Sequence, residues 1–177
     1  TMALWQRGLT EGIFQFDAVF VQQTLRKMHP TSFLEISALN ALNRPGPIAF
    51  IPQFIARMHG EEKIEYVHPK AEPILKETYG IIVYQEQVMM LTRALAGFTR
   101  GQSDTVRKAM GKKKLDLLAQ LEVKFLDGCE QENTLNREQA KELWEKFKEF
   151  AKYAFNKSHA IAYSIVANQC AYLKANY

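Results

Sequence analysis

Between Arg93 and Lys114 the chain carries seven cations, Arg93, Arg100, Arg107, Lys108, Lys112, Lys113 and Lys114, against one carboxylate, Asp104. That excess is larger than the net charge of +4 of the whole 177-residue chain. Cations at this density attract polyanions, because binding a phosphate chain releases its condensed counterions. Gly97, Gly101 and Gly111 cut the run into short pieces, which lets basic side chains and free backbone amides converge on one anion. A solvated basic face at helix C-termini is the alternative. The one-sidedness of the charge favours polyanion binding.

A second group, Tyr153-Ala154-Phe155-Asn156-Lys157-Ser158-His159-Ala160, leads into an apolar run. With Asn156 or Ser158 as cap, the final helix would set Lys157 and His159 beside unpaired N–H groups at its positive end, where phosphate is attracted. Tyr153, Phe155 and Tyr163 stand close by as ring faces for a nucleobase. An ordinary capped helix with core aromatics explains the same spacing. Arg44-Pro45-Gly46-Pro47 is a third candidate, a rigid turn that presets a guanidinium for phosphate or carboxylate, or else a purely structural turn. Tyr84-Gln85-Glu86-Gln87, flanked by apolar runs, reads as a capping and hydrogen-bonding network at a helix start.

Other chemistries lack their residues. Metal-assisted phosphoryl transfer needs carboxylates close enough to bridge divalent cations. The four aspartates, Asp17, Asp104, Asp116 and Asp127, stand apart, and Glu61, Glu62 and Glu65 sit in a polar, loop-like stretch. No phosphate-binding glycine loop, nucleophile elbow or HExxH zinc motif occurs, and His159 has no second ligand one helical turn away. By its own residues the chain is not a complete enzyme of any common class. Cys129 and Cys170, outside any CxxC pattern, read as reduced structural thiols.

The elements that must position these residues are mostly helical. Asp17 is the expected cap of a helix running to Met28 and stopped by His29-Pro30. Ser32-Phe33-Leu34-Glu35 is a capping box opening a helix with Phe33, Ile36, Leu39 and Leu42 as its stripe. Pro47 begins a helix expected to reach His59. Residues 61–69 suggest a short extended excursion, 70–78 a helix, and Gly80 to Tyr84 a strand or a buried helix entry. Further helices are expected over Gln85 to Ala96, from a Ser103 cap to Gly111, and over Leu115 to Cys129. The last two run over Arg137 to Phe150 and Ser158 to Tyr177, the final one being the most apolar. The polar stretch 130–136 is the expected internal hinge. With 47% hydrophobic residues, 9 Gly and 6 Pro, the chain has the composition of a globular fold, not of a disordered or collagen-like one. No stretch approaches the roughly 18 apolar residues of a membrane span, and no secretory signal is visible at Thr1. The expectation is a mainly α, multi-helical cytoplasmic protein with at most a short strand or hairpin element and no membrane partner.

Five blocks carry a family resemblance. They are Thr10-Glu11-Gly12-Ile13-Phe14-Gln15-Phe16, Ala38-Leu39-Asn40-Ala41-Leu42-Asn43-Arg44-Pro45-Gly46-Pro47, Tyr79-Gly80-Ile81-Ile82-Val83-Tyr84-Gln85-Glu86-Gln87-Val88-Met89, Arg107-Lys108-Ala109-Met110-Gly111-Lys112-Lys113 and Phe155-Asn156-Lys157-Ser158-His159-Ala160. In residues and order they resemble the signature blocks of the bacterial DNA polymerase III alpha subunits, the C-family replicative polymerases, from Thr10 to about Tyr177.

The resemblance implies that residues 1–177 are part of the fingers domain of a larger polymerase. The palm, with the three catalytic aspartates and their Mg2+, lies outside this stretch on its N-terminal side. Primer–template DNA, deoxynucleoside triphosphates and other subunits of the replicase holoenzyme are the implied partners. Matched block by block, Arg107, Lys108, Lys112, Lys113, Lys157, Ser158, His159 and Arg44 are the implied nucleotide-binding residues. Arg100, Lys114 and Tyr163 are the expected DNA contacts. Lys108 stands where a second arginine is common, keeping the charge without the planar fork. Ala154 replaces a frequent glycine, and Asp17-Ala18-Val19-Phe20 replaces a usual Glu-Ser-x-Gly-Met. The isolated chain is expected to have no polymerase activity. Two other classes compete: a non-catalytic helical DNA-binding module, and a scaffold docking a replication partner.

Overall fold

The computed structural model describes residues 1–112 and 114–177. Its helices are α1 (Met2–Gln6), α2 (Val19–Met28), α3 (Phe33–Leu42), α4 (Ile51–Met58), α5 (Glu72–Leu75), α6 (Gln85–Ala96), α7 (Arg100–Gly111), α8 (Leu115–Gln131), α9 (Arg137–Ala151) and α10 (Lys157–Asn176). Three short 3-10 segments join them, and no strand is present among the described residues, so the expected mainly α architecture is observed. The chain forms two compact units, Thr1–Lys63 together with Lys157–Tyr177, and Ile64–Asn156.

In the first unit α3 starts where the capping box predicts. Ser32 Oγ accepts from Glu35 N at 3.3 Å, and the Glu35 carboxylate accepts from Ser32 N at 3.0 Å and Thr31 N at 2.6 Å. Of the helix's expected stripe Ile36, Leu39 and Leu42 are buried while Phe33, in the first turn, is only half-buried, and Glu35, Ser37, Ala38 and Ala41 are inside as well. Against it lies α10, whose buried line is Ala160, Ser164, Ala167 and Ala171. Small side chains along one line let two helix backbones approach. Asn40 Nδ2 donates to Ser164 Oγ at 3.3 Å, and Trp5 Nε1 to Asn168 Oδ1 at 3.1 Å. The last helix is therefore not the apolar one expected. Ile165, Val166, Tyr172 and Leu173 remain exposed on it, and α3 is the better buried of the pair.

Two boundaries differ from the sequence expectation for local reasons. Ala18, not Asp17, occupies the N-cap of α2, because Asp17 Oδ1 accepts from Gly12 N at 2.8 Å and closes the preceding loop. The helix expected from Pro47 to His59 is a 3-10 turn, Pro47–Phe50, followed by α4. Pro52 has no N–H with which to continue one α-helix through that point.

The second unit packs α6, α7, α8 and α9 around Phe125, whose ring lies 6.2 Å from Phe98, 5.1 Å from Trp144 and 5.6 Å from Phe147. Gly128 is what lets α8 cross α6 closely, since a Cβ there would stand 2.4 Å from Ala96 O. Gly80 to Tyr84 is not a strand; a single bridge pairs Tyr84 with Phe155, and Gln85 N donates to Phe155 O at 2.8 Å. The network expected at this helix start is centred on buried Gln87. Its Oε1 accepts from Val83 N at 2.8 Å and Tyr84 N at 3.0 Å, and its Nε2 donates to Thr78 Oγ1 at 2.7 Å. Residues 61–69 form no strand, and 70–78 are a short α5 between two 3-10 turns, stopped by left-handed Tyr79 and Gly80. Ser103 does not cap α7. Thr99 does, by a capping box with Gln102, and Ser103 is buried inside the helix with its hydroxyl on Arg100 O at 2.9 Å. Within the 130–136 stretch Thr134 Oγ1 donates to Leu95 O at 2.5 Å.

Candidate nucleic-acid interface

The basic residues of the second unit follow from the course of α7. Arg100 is its first residue, and Arg107 and Lys108 stand on its last turns, where cations also favour the negative end of the helix dipole. Asp104, one turn earlier, faces both. Its Oδ1 accepts from Arg107 Nε at 2.9 Å and Nη2 at 2.7 Å, and its Oδ2 from Lys108 Nζ at 2.8 Å. These hydrogen bonds, that of Lys108 foremost and then that of Arg107, hold the Asp104 carboxyl below the usual carboxylate range. One carboxylate shared by two cations leaves a single positive charge in excess, and all three groups reach solvent. Surface ion pairs of this kind add little stability. They do fix the direction of the two cations. Lys112 is the C-cap of α7 and Lys114 precedes α8, both exposed. Lys113 lies outside the described residues.

The first unit holds the other predicted residues. Lys157, Ser158 and His159 are the first three residues of the twenty-residue α10, with Tyr163 one turn on. Ser158 is thus inside the helix, not its cap. Asn156, just before it in the chain, donates its amide to Glu86 Oε1 at 2.8 Å. Tyr163 meets the His159 ring at 4.1 Å and stacks on Phe14 at 5.4 Å. Phe14 was not among the sequence candidates. Of the aromatics expected near Tyr163, Tyr153 packs edge-to-face on Phe150 at 5.7 Å, and burial pushes its phenol up. Arg44 is partly withdrawn from solvent, which lowers its pKa, and its Nε donates to Ala41 O at 3.0 Å, an otherwise open carbonyl in the last turn of α3.

The structure thus brings together Arg107 with Lys108, and His159 with Tyr163, while Arg44 serves the end of its own helix through Nε. Asp104 was visible in the sequence as a lone acid; its spacing of three and four to the two cations was the signal of their pairing. Among the described residues no group of three or more His, Cys, Asp or Glu side chains is placed to hold a metal ion. No helix of the described residues is long and apolar enough to cross a membrane.

Comparison with known proteins gives the arrangement its context. Residues 1–133 match the family described as the bacterial DNA polymerase III alpha subunit finger domain. A DNA polymerase III subunit alpha of Aquifex aeolicus is 48% identical over 176 residues, 98% of this chain and 15% of that protein. The subunit of Borreliella burgdorferi is 48% identical over 177 residues, all of this chain and 15% of the relative. That of Bacillus subtilis is 42% identical over 177 residues, 16% of its length. The chain therefore spans about 15% of the length of these relatives. With the matched region holding α1 to α8 and the cations of α7, the chain belongs to the bacterial DNA polymerase III alpha subunit finger-domain family.

Proposed function

We propose that this chain is the fingers part of a replicative DNA-directed DNA polymerase, a nucleotidyltransferase, and binds the incoming deoxynucleoside triphosphate and the nascent primer–template pair during template-directed synthesis. The observation that carries the reading is membership of the finger-domain family together with near-50% identity to alpha subunits over the whole chain. It works in the cytoplasm with the other subunits of the replicase.

In this reading Arg107 and Lys108 neutralise the triphosphate. At rest Asp104 aims them; a triphosphate, with its greater charge, competes for the same donors. Lys112 and Lys113 extend the basic run, and Lys157, Ser158, His159 and Arg44 supply further nucleotide contacts. Arg100, Lys114 and Tyr163 meet the DNA. Donors that meet charge developing on the leaving pyrophosphate lower the barrier by about 3 kcal/mol each when well placed. In this reading the metal ions and the catalytic aspartates belong to the palm, elsewhere in the polypeptide. The isolated chain turns nothing over.

The test is a fluorescence-anisotropy titration of labelled primer–template across a salt series, with the double variant Arg107→Glu, Lys108→Glu beside the parent. Affinity should fall steeply with salt and drop about tenfold or more in the variant, with a shallower salt slope. A variant with the parent's affinity and slope would remove these two residues from the interface. Affinity without any salt dependence would favour a protein-docking scaffold instead.

A further inference from the structure

Residues 10–17 form a loop whose two ends are locked into the core of the first unit. Thr10, Ile13 and Phe16 are buried. Thr10 Oγ1 donates to Phe16 O at 2.6 Å, and the Phe16 ring meets Trp5 edge-on at 4.9 Å. From α10, Lys174 Nζ donates to Glu11 O at 2.6 Å. Between these anchors Gln15 adopts φ 67°, a left-handed conformation that L-residues other than Asn and Asp seldom take. Just before it, Phe14 stands outward, 43% exposed. Neither the strained backbone nor an outward phenylalanine strengthens the core, and local strain of this sort collects where a side chain must be presented.

The presented ring does not stand alone. Phe14 stacks on Tyr163 with an interplanar angle of 28°, and Tyr163, itself 36% exposed, touches the His159 ring. Three rings from two distant stretches of sequence thus make one solvent-facing aromatic ledge.

We propose that Phe14, with Tyr163 and His159, is a nucleobase-stacking ledge whose ligand is the π face of an unpaired base. The proposal rests on the reading of this chain as a nucleotide- and DNA-binding domain, and adds to it a recognition element that owes nothing to phosphate. Stacking is sequence-tolerant, because every base has a π face, and it needs rings held flat and open, as the locked loop holds Phe14. The base comes either from a single strand or from a free nucleotide.

Labelled oligothymidylate and an abasic strand of the same length present equal phosphates and differ only in bases. Their affinities are measured by anisotropy for the 177-residue chain and its Phe14→Ala and Phe14→Tyr variants. The parent should prefer the base-bearing strand by about tenfold. Phe14→Ala should erase that preference while leaving abasic-strand affinity and the salt slope unchanged, and Phe14→Tyr should retain it. Because the ring is exposed, the alanine variant leaves the core intact, which its circular dichroism and melting temperature check. Unlabelled dATP and inorganic triphosphate are then added as competitors. Loss of the base-dependent preference with dATP alone assigns the ledge to a nucleotide; its persistence assigns it to a strand. Equal affinity of the parent for both strands, or a preference that survives Phe14→Ala, overturns the ledge while the phosphate-binding reading stands. Binding of neither strand overturns that reading and the ledge together.

Discussion

Asp104 sets the character of the basic surface more than any of the seven cations around it. A carboxylate three and four residues ahead of two cations on a helix reaches both, and here it holds Arg107 and Lys108 at 2.7 to 2.9 Å. That spacing is legible in sequence to anyone who places the stretch on a helix. The exposure of Phe14 is not, since it depends on the φ of Gln15 and on a tyrosine far along the chain. Cys129 gives a test at the same scale. It is fully buried, and burial pushes its thiol up to about 11 from an ordinary 9.0. Alkylation at about pH 8 should therefore modify half-exposed Cys170 and spare Cys129 until the chain is denatured, as peptide mass spectrometry would register. Because the folded pKa is raised, the stabilisation linked to the protonated thiol is complete below pH 9 and is lost as the pH climbs through about 11. Labelling of Cys129 in the native protein at the rate of Cys170 would contradict this burial.

Helix starts were readable wherever a cap and its partner three residues on were both present. Ser32 with Glu35 and Asn136 with Gln139 behave so. Thr99 with Gln102 carried the same signal, and it outranks Ser103, whose third neighbour is the apolar Val106. Helix crossings were not readable. Gly128 looks like an ordinary weak point in α8, yet a Cβ there would lie 2.4 Å from the Ala96 carbonyl. Gly128→Ala should accordingly destabilise the protein by about 1 to 3 kcal/mol, outweighing the roughly 1 kcal/mol that alanine gains in helix propensity. Gly101→Ala in α7, where the added methyl meets nothing within 4 Å, should stabilise by up to about 1 kcal/mol. Denaturant midpoints of the two variants should move in opposite directions; a Gly128→Ala midpoint at or above the parent's would show that α6 and α8 yield freely.

Each of the two units has its own aromatic centre and its own tryptophan, Trp5 in the first and Trp144 in the second. In a Trp5→Phe background the emission reports the second unit alone. There Phe125→Ala, which empties the space between Phe98, Trp144 and Phe147, should cost about 3 to 5 kcal/mol and lower the midpoint seen by Trp144. An unchanged midpoint would mean that Phe125 is not the centre of that core. The division into two units is a tertiary property of the chain. The structural boundaries fall at Lys63 and Asn156, because α10 returns to pack on α3 through a line of small residues. Alanines at that spacing look weak to a hydrophobicity pattern and strong to a backbone that must come close.

The sequence by itself determined the helical content, most helix ends, the capping devices, the concentration of positive charge and the family, since all of these are written in short-range order. Only tertiary structure decided what lies between distant stretches. It paired Phe14 with Tyr163, made Gly128 a contact point and gathered the first and last stretches into one unit. The physical reason is that local rules act over three or four residues. Burial, close backbone approach and ring stacking depend instead on which surfaces the finished fold brings together.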